Sequence, residues 1–250
     1  MKPFPRLKFC GFTREIDVEH AIQAGASAIG LNFVPKSKRY VDSITAVRLS
    51  QIAKGQIQCV GVFANSTVAH VAQLVQSIGL DAVQLHGAEG LEWLASARTH
   101  EGLAGIPLIR SLPYRGNLDD PAIAQWCREA NDPQSVLCAI LVDAYDSALL
   151  GGTGKTVRWD LLYPRPKAFF ASKLNELAPF ENEALGAAPL ILAGGIDRHN
   201  VSQACRRARP DGIDLASGIE TEPGIKDRDA MFAVAELVHA YFAQGQSDKS

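Results

Sequence analysis

Cys10 and Asp143 each close a short β-prone run with a titratable side chain: Cys10 ends Leu7-Lys-Phe-Cys, and Asp143 ends Val136-Leu-Cys-Ala-Ile-Leu-Val-Asp. Side chains alternate along a strand. Leu7 and Phe9 suit a helix-facing layer, so Lys8 and Cys10 share the other face, and a lysine beside a thiol favours the thiolate. A carboxyl group and a thiol on opposite sides of one pocket can supply one proton and take another, which is what an acid–base isomerisation requires. Each residue also has a plainer reading. An aspartate at a strand end can cap the loop that follows, and a cysteine is by default a small buried apolar residue. That default suffices for Cys59, Cys138 and Cys205.

Further polar groups cluster at the ends of other runs. Arg39 lies in Lys36-Ser-Lys-Arg-Tyr40, where two of the cations read as solvated and the Arg39 fork can pair bidentately with a carboxylate. His86, in Gln84-Leu-His-Gly87, fits either a hydrogen-bonded core histidine or a pocket residue. Residues 149–156 read Leu-Leu-Gly-Gly-Thr-Gly-Lys-Thr. The first glycine of a nucleotide P-loop is missing, so Gly151–Lys155, with Gly154, is expected to be a lid that closes over a substrate. Gly194-Gly195 and Ser217-Gly218 let backbone N–H groups approach an oxyanion and are expected to cradle a phosphate, although Gly-Gly also serves as a plain tight turn. No second histidine stands at ligand spacing, so no metal is expected.

Eight apolar runs must position these groups: Leu7–Gly11, Ala28–Val34, Ile57–Ala64, Ala82–His86, Pro107–Leu112, Val136–Asp143, Pro189–Ala193 and Gly212–Ala216. Their starts are 21, 29, 25, 25, 29, 53 and 23 residues apart, so all but one interval fit a single βα unit. The first run ends Cys10-Gly-Phe-Thr13, without the dinucleotide fingerprint of an open doubly wound sheet. The expected fold is therefore α/β, a (β/α)8 TIM barrel forming one domain over residues 1–250, with active residues at the C-terminal strand ends. Thr13 and Ser66 are expected helix caps. A last helix from about Asp227 is expected to turn Met231, Val234, Leu237, Val238 and Tyr241 to one side. The long interval is assigned to a sixth helix and an extended connection over 161–188, and polar 244–250 to a disordered tail.

Composition narrows the function. In 250 residues, 25 basic against 27 acidic side chains leave a formal charge of −2. That gives no general field for nucleic acid or anionic lipid. No apolar run has the length of a membrane span, and Met1–Arg6 leads into a strand-like segment rather than a secretory one. Five cysteines without CxxC spacing argue against disulfides and zinc and for a reducing cytoplasm. No apolar helix is left over for an interface, so a monomer is expected.

Read in order, Lys8-Phe-Cys-Gly11, Pro35-Lys-Ser-Lys-Arg-Tyr40, Gly61-Val-Phe63, Gln84-Leu-His-Gly87, Leu141-Val-Asp143, Gly151-Gly-Thr-Gly-Lys155, Gly194-Gly195 and Ser217-Gly218 resemble the phosphoribosylanthranilate isomerase family over almost the whole chain. The resemblance implies a cofactor-free Amadori rearrangement of a phosphosugar in tryptophan biosynthesis. It implies Asp143 as general acid, Cys10 as general base, Arg39 on the anthranilate carboxylate, and the two glycine loops on the phosphate. Asp214 would assist or pair with Lys8. Such chemistry asks for an Asp143 carboxyl above its ordinary ~3.9 and a Cys10 thiol below its ordinary ~8.5. Three departures stand out: Ala216 replaces a serine, Val157-Arg-Trp159 replaces a Phe-Asp-Trp opening, and 161–188 is long. The histidine-pathway sugar isomerase performs the same rearrangement but uses an aspartate base on its first strand, where this chain has Cys10. A non-catalytic phosphosugar-binding barrel would not need both proton-transfer groups.

Overall fold

A computed structural model describes residues 4–113, 121–132, 134–143, 159–162 and 189–247. Eight parallel strands close a barrel in chain order: β1 (Leu7–Cys10), β2 (Ala28–Asn32), β3 (Gln58–Phe63), β4 (Ala82–Leu85), β5 (Leu108–Pro113), β6 (Leu137–Asp143), β7 (Leu190–Ala193) and β8 (Gly212–Leu215). Closure is by β8 against β1, with Lys8 opposite Asp214 and Phe9 opposite Leu215. All eight expected runs are strands, with ends displaced by one or two residues. Helices α1 (Glu15–Gln23), α2 (Ser43–Ala53), α3 (Val68–Ile78), α4 (Leu91–Thr99), α5 (Pro121–Asn131), α6 (Val201–Ala208) and α7 (Arg228–Ser247) follow or separate them. Between β6 and β7 the described structure is a 3-10 turn, Trp159–Leu162. The expected lid at 151–155 and the rest of the long connection, 163–188, lie outside the described residues.

Alternation along the strands makes two cores. Leu7, Phe9, Ile29, Leu31, Val83, Leu85, Leu192 and Ile213 pack outward against the helices. Ala28, Val60, Ala82, Ile109, Ala139, Leu141 and Ile191 fill the barrel. The inner set is rich in small side chains, which leaves volume on the axis for the long Lys8 chain. Beyond β8, the strands β9 (Glu220–Glu222) and β10 (Ile225–Lys226) form a small antiparallel hairpin at the barrel mouth.

The helix starts correct the sequence reading. α1 begins at Glu15 with Arg14 at its N-cap and no capping side chain. Thr13 instead donates its hydroxyl to the Gly224 carbonyl at 2.6 Å, fastening the loop after β1 to the β9–β10 hairpin. The α3 cap is Thr67, not Ser66: Thr67 Oγ1 accepts from the His70 N–H, while the Ser66 carbonyl accepts from Trp93 Nε1 at 2.7 Å. Asp227 caps α7 by accepting from the Ala230 N–H at 3.0 Å. Met231, Val234 and Val238 are buried there, but Leu237 is 37% exposed, because one residue of rotation turns it off their stripe. α7 runs on to Ser247, into the stretch read from sequence as a disordered tail. An established helix extends at the cost of one ordered residue per added hydrogen bond. No helix among the described residues is long and apolar enough to cross a membrane.

Phe9 is fully buried in the outer core between the two inward residues of β1. Phe9→Ala is expected to lower unfolding free energy by about 3–5 kcal/mol, read as a shifted denaturant midpoint. A midpoint shift worth less than about 1 kcal/mol would show that the strand–helix layer does not carry this part of the stability.

Candidate active site

Cys10 and Asp143 are the last residues of β1 and β6, on the same rim of the barrel. On β6, Ile140 and Val142 belong to the outer core and Leu141 to the inner one, which gives half-buried Asp143 the inward side. Room for the Cys10 side chain comes from the neighbouring strand. Cys10 is in register with Gly30, and a Cβ there would lie 2.7 Å from Cys10 Sγ and 3.2 Å from Lys8 Nζ. Only a glycine lets thiol and ammonium sit side by side at that level.

Lys8 reaches across the barrel interior to Asp214, with Nζ 2.9 Å from Oδ1 and the Lys8 side chain wholly buried. Of the two roles open to Asp214 in the sequence, pairing with Lys8 is the one the geometry has. Burial opposes charging Lys8, but Asp214, with Cys10, outweighs it and holds the ammonium above the ordinary lysine range. Cys10 corrects the sequence expectation. Burial pushes its thiol up and Asp214 adds to that, and together they overcome the lowering influence of Lys8 and Lys226. The free protein therefore holds Cys10 mainly as the thiol at neutral pH.

A second charged cluster borders the same thiol. The Arg39 guanidinium forks onto Glu220, with Nε 2.8 Å from Oε1 and Nη2 2.6 Å from Oε2. Lys226 Nζ donates to Glu220 Oε1 at 2.7 Å and to the Cys10 carbonyl at 2.5 Å. Burial pushes Glu220 up, but Arg39 and Lys226 prevail and hold its carboxyl below the usual range. Lys226 lies below the ordinary lysine range because burial outweighs the pull of Glu220. Sequence reasoning missed Glu220 and Lys226. Arg39 and Glu220 are 181 positions apart, and the only local hint was a lysine directly after Gly224-Ile225.

The glycine loops meet. Gly194 and Gly195 have φ of +88° and +63°, the left-handed region that side chains disfavour. A Cβ on Gly218 would overlap the Ile196 carbonyl oxygen, so the loop after β8 lies directly on the loop after β7. Asn200 Nδ2 donates to the Gly195 carbonyl at 2.8 Å and braces that loop, while the Ser217 side faces solvent. His86 is exposed at the end of β4, so the core-histidine reading is set aside. Its loop is held from below: Glu89 accepts from the Gly87 N–H at 2.9 Å, and Arg110, stacked on Trp126, donates to the Gly87 carbonyl at 2.8 Å. Inside the barrel Gln84 is buried, and its Oε1 has no hydrogen-bond partner among the described residues. Gly154 lies outside the described residues.

Comparison with known proteins adds four findings. The family model of N-(5'phosphoribosyl)anthranilate (PRA) isomerase matches residues 7–237. An N-(5'-phosphoribosyl)anthranilate isomerase of Ralstonia nicotianae is 34% identical over 234 residues, covering 93% of this chain and 92% of that protein. Among solved structures, phosphoribosyl anthranilate isomerase from Thermotoga maritima superposes with a TM-score of 0.75 at 29% identity, covering 95% of this chain and all of that one. A phosphoribosyl anthranilate isomerase in complex with reduced 1-(o-carboxyphenylamino)-1-deoxyribulose 5-phosphate gives 0.72 at 28% identity, again over 95% of this chain and 100% of that one.

The thiol's electrostatics can be read without substrate. Cys10 is the one cysteine not fully buried, so alkylation of the native protein should start there, at a rate proportional to its thiolate fraction. The midpoint of rate against pH is expected above the ordinary thiol range. Lys8→Met removes a positive neighbour and is expected to move that midpoint further up. A wild-type midpoint below about 8.5, or a downward move in the variant, would contradict the arrangement described.

Proposed function

We infer that this chain, which belongs to the N-(5'-phosphoribosyl)anthranilate isomerase family, converts N-(5-phosphoribosyl)anthranilate to 1-(2-carboxyphenylamino)-1-deoxyribulose 5-phosphate in tryptophan biosynthesis. The observation that carries this reading is the placement of Cys10 and Asp143 on one barrel rim, beside a cationic group on one side and paired glycine loops on another.

The steps are proton transfers and the bond shifts that accompany them, with no net change in oxidation state, so no redox group is called for. Protonated Asp143 gives its proton to the furanose ring oxygen. As the C1–O bond breaks, the anilino nitrogen's lone pair forms C1=N, leaving an open-chain Schiff base that carries a positive charge. Cys10 thiolate then removes the C2 proton. The C–H electrons become C1=C2, and the C=N electrons return to nitrogen as an enolamine, which tautomerises to the ketone. The raised thiol of the free protein fits this order. Cationic nitrogen forms next to Sγ only after ring opening, and a new positive neighbour favours the thiolate, the thiol proton being released to solvent before the C2 proton is taken. Asp214 serves by holding Lys8 charged beside the base.

Binding follows the same map. Arg39 takes the anthranilate carboxylate, and Gly194-Gly195 with Ser217-Gly218 take the phosphate through backbone N–H groups. His86 borders the substrate from the end of β4. Ala216 offers no hydroxyl where the family pattern has one. All five cysteines are free, which supports a reducing cytoplasm. A monomer is expected, with a small phosphosugar, and no nucleic acid, as its partner.

Turnover can be followed as loss of anthranilate fluorescence from freshly made substrate, with no metal or nucleotide added. Cys10→Ala and Asp143→Ala are each expected to lower kcat about 10²–10⁴-fold, the usual worth of a general acid or base. A folded wild-type chain that does not turn over would overturn the isomerase reading. A Cys10→Ala variant with unimpaired kcat would remove Cys10 from the chemistry.

A further inference from the structure

We propose that Glu220 is a positioning residue for the carboxylate anchor: it grips Arg39 by the Nε–Nη2 edge, so that the outer Nη1–Nη2 edge is the one presented to a substrate carboxylate, and Lys226 cancels its charge. This rests on the role given to Arg39 above.

A guanidinium has two edges that can fork onto a carboxylate. Glu220 occupies one of them, through Nε and Nη2. Nη1 has no hydrogen-bond partner among the described residues, and the Arg39 side chain keeps 25% of its surface while Glu220 keeps 4%. The buried carboxylate thus holds the inner edge, and the outer edge faces the rim. The Arg39 stem is fixed as well, because it crosses Gly11, where a Cβ would collide with Arg39 Cδ.

Charge decides whether such an arrangement can bind an anion. Arg39 and Glu220 alone form a neutral pair with little pull on a second carboxylate. Lys226, buried against Glu220 and facing the Phe12 ring at 5.3 Å, returns the cluster to a net positive charge. Its other donors go to the Cys10 and Ala216 carbonyls. The cluster therefore joins the loop after β2, the end of β1 and the loop after β8. These carry the carboxylate anchor, the base and part of the phosphate cradle. Set by one buried carboxylate, the distance between the two anionic ends of a substrate becomes a property of the protein rather than of a flexible arginine.

The test compares two ligands by calorimetry: reduced 1-(o-carboxyphenylamino)-1-deoxyribulose 5-phosphate and its counterpart lacking the carboxyl group. Wild-type protein is expected to prefer the first by about tenfold or more, as a charge-assisted fork allows. E220Q is expected to bring the two affinities within about threefold, by weakening only the carboxylated ligand. A general loosening of the site would weaken both ligands. If E220Q does not fold, E220Q/K226M removes both buried charges and is expected to lose the preference in the same way. A folded variant that keeps the wild-type preference overturns the proposal while the isomerase reading stands. Equal wild-type binding of both ligands overturns the role of Arg39 and with it the proposal. Binding of neither overturns the functional reading itself.

Discussion

An ammonium group lies on the axis of the barrel with no exposed surface, and everything at the rim is arranged around it. Lys8 stays charged there because Asp214 meets it at 2.9 Å from the neighbouring strand. Neither partner is tolerable without the other: leaving one member of a buried pair uncompensated typically costs about 3–5 kcal/mol. The pair also dictates its surroundings. Ala28 and Gly30 on β2, which face Lys8 and Cys10 in register, are small because a long cationic chain fills the space that branched residues would otherwise take. Packing, in this part of the barrel, is subordinate to charge.

The electrostatics of Cys10 follow from that choice. The lysine that would ionise the thiol comes with the aspartate that opposes ionisation, so much of the benefit is cancelled. Burial then decides the sign, and the thiol is raised. A site built only to generate thiolate would leave Lys8 unpaired, at a cost the barrel core cannot meet. The arrangement instead holds a strong latent base, since a thiol that gives up its proton reluctantly takes one readily once charged. In the proposed mechanism, a cationic intermediate generated next to it would supply the missing positive neighbour at the step where the base is needed.

The sequence showed the periodic part of this structure and little of the rest. Short β-prone runs at βα spacing placed eight strands, and simple alternation put Lys8 and Cys10 inside with Phe9 outside. Glycine pairs after β7 and β8 marked loops that the structure brings into contact. What failed depends on tertiary partners. Thr13 and Ser66 have the right chemistry for caps, but Gly224 claims the Thr13 hydroxyl and the α3 cap shifts by one residue. Leu237 lies just outside the buried stripe for a reason a list of apolar spacings does not resolve. Glu220 and Lys226 were invisible because their meaning comes from Arg39 and the Cys10 carbonyl, on the far side of the chain. The assignment of Gly154 to a lid falls outside the described residues.

The two charged clusters solve one problem in opposite ways. Lys8–Asp214 is a closed pair: each charge is spent on the other, and its influence on the rim is what remains after cancellation. Arg39–Glu220–Lys226 has an odd number of charges and, among the described residues, a guanidinium edge without a hydrogen-bond partner, so it is not satisfied internally. An odd cluster buried in the core would be penalised heavily, but at the rim solvent or a ligand anion can complete it. The third charge is therefore what separates a structural ion pair from a binding site. Its position, bonded to the Cys10 carbonyl, ties the cluster to the strand end where the proposed base stands.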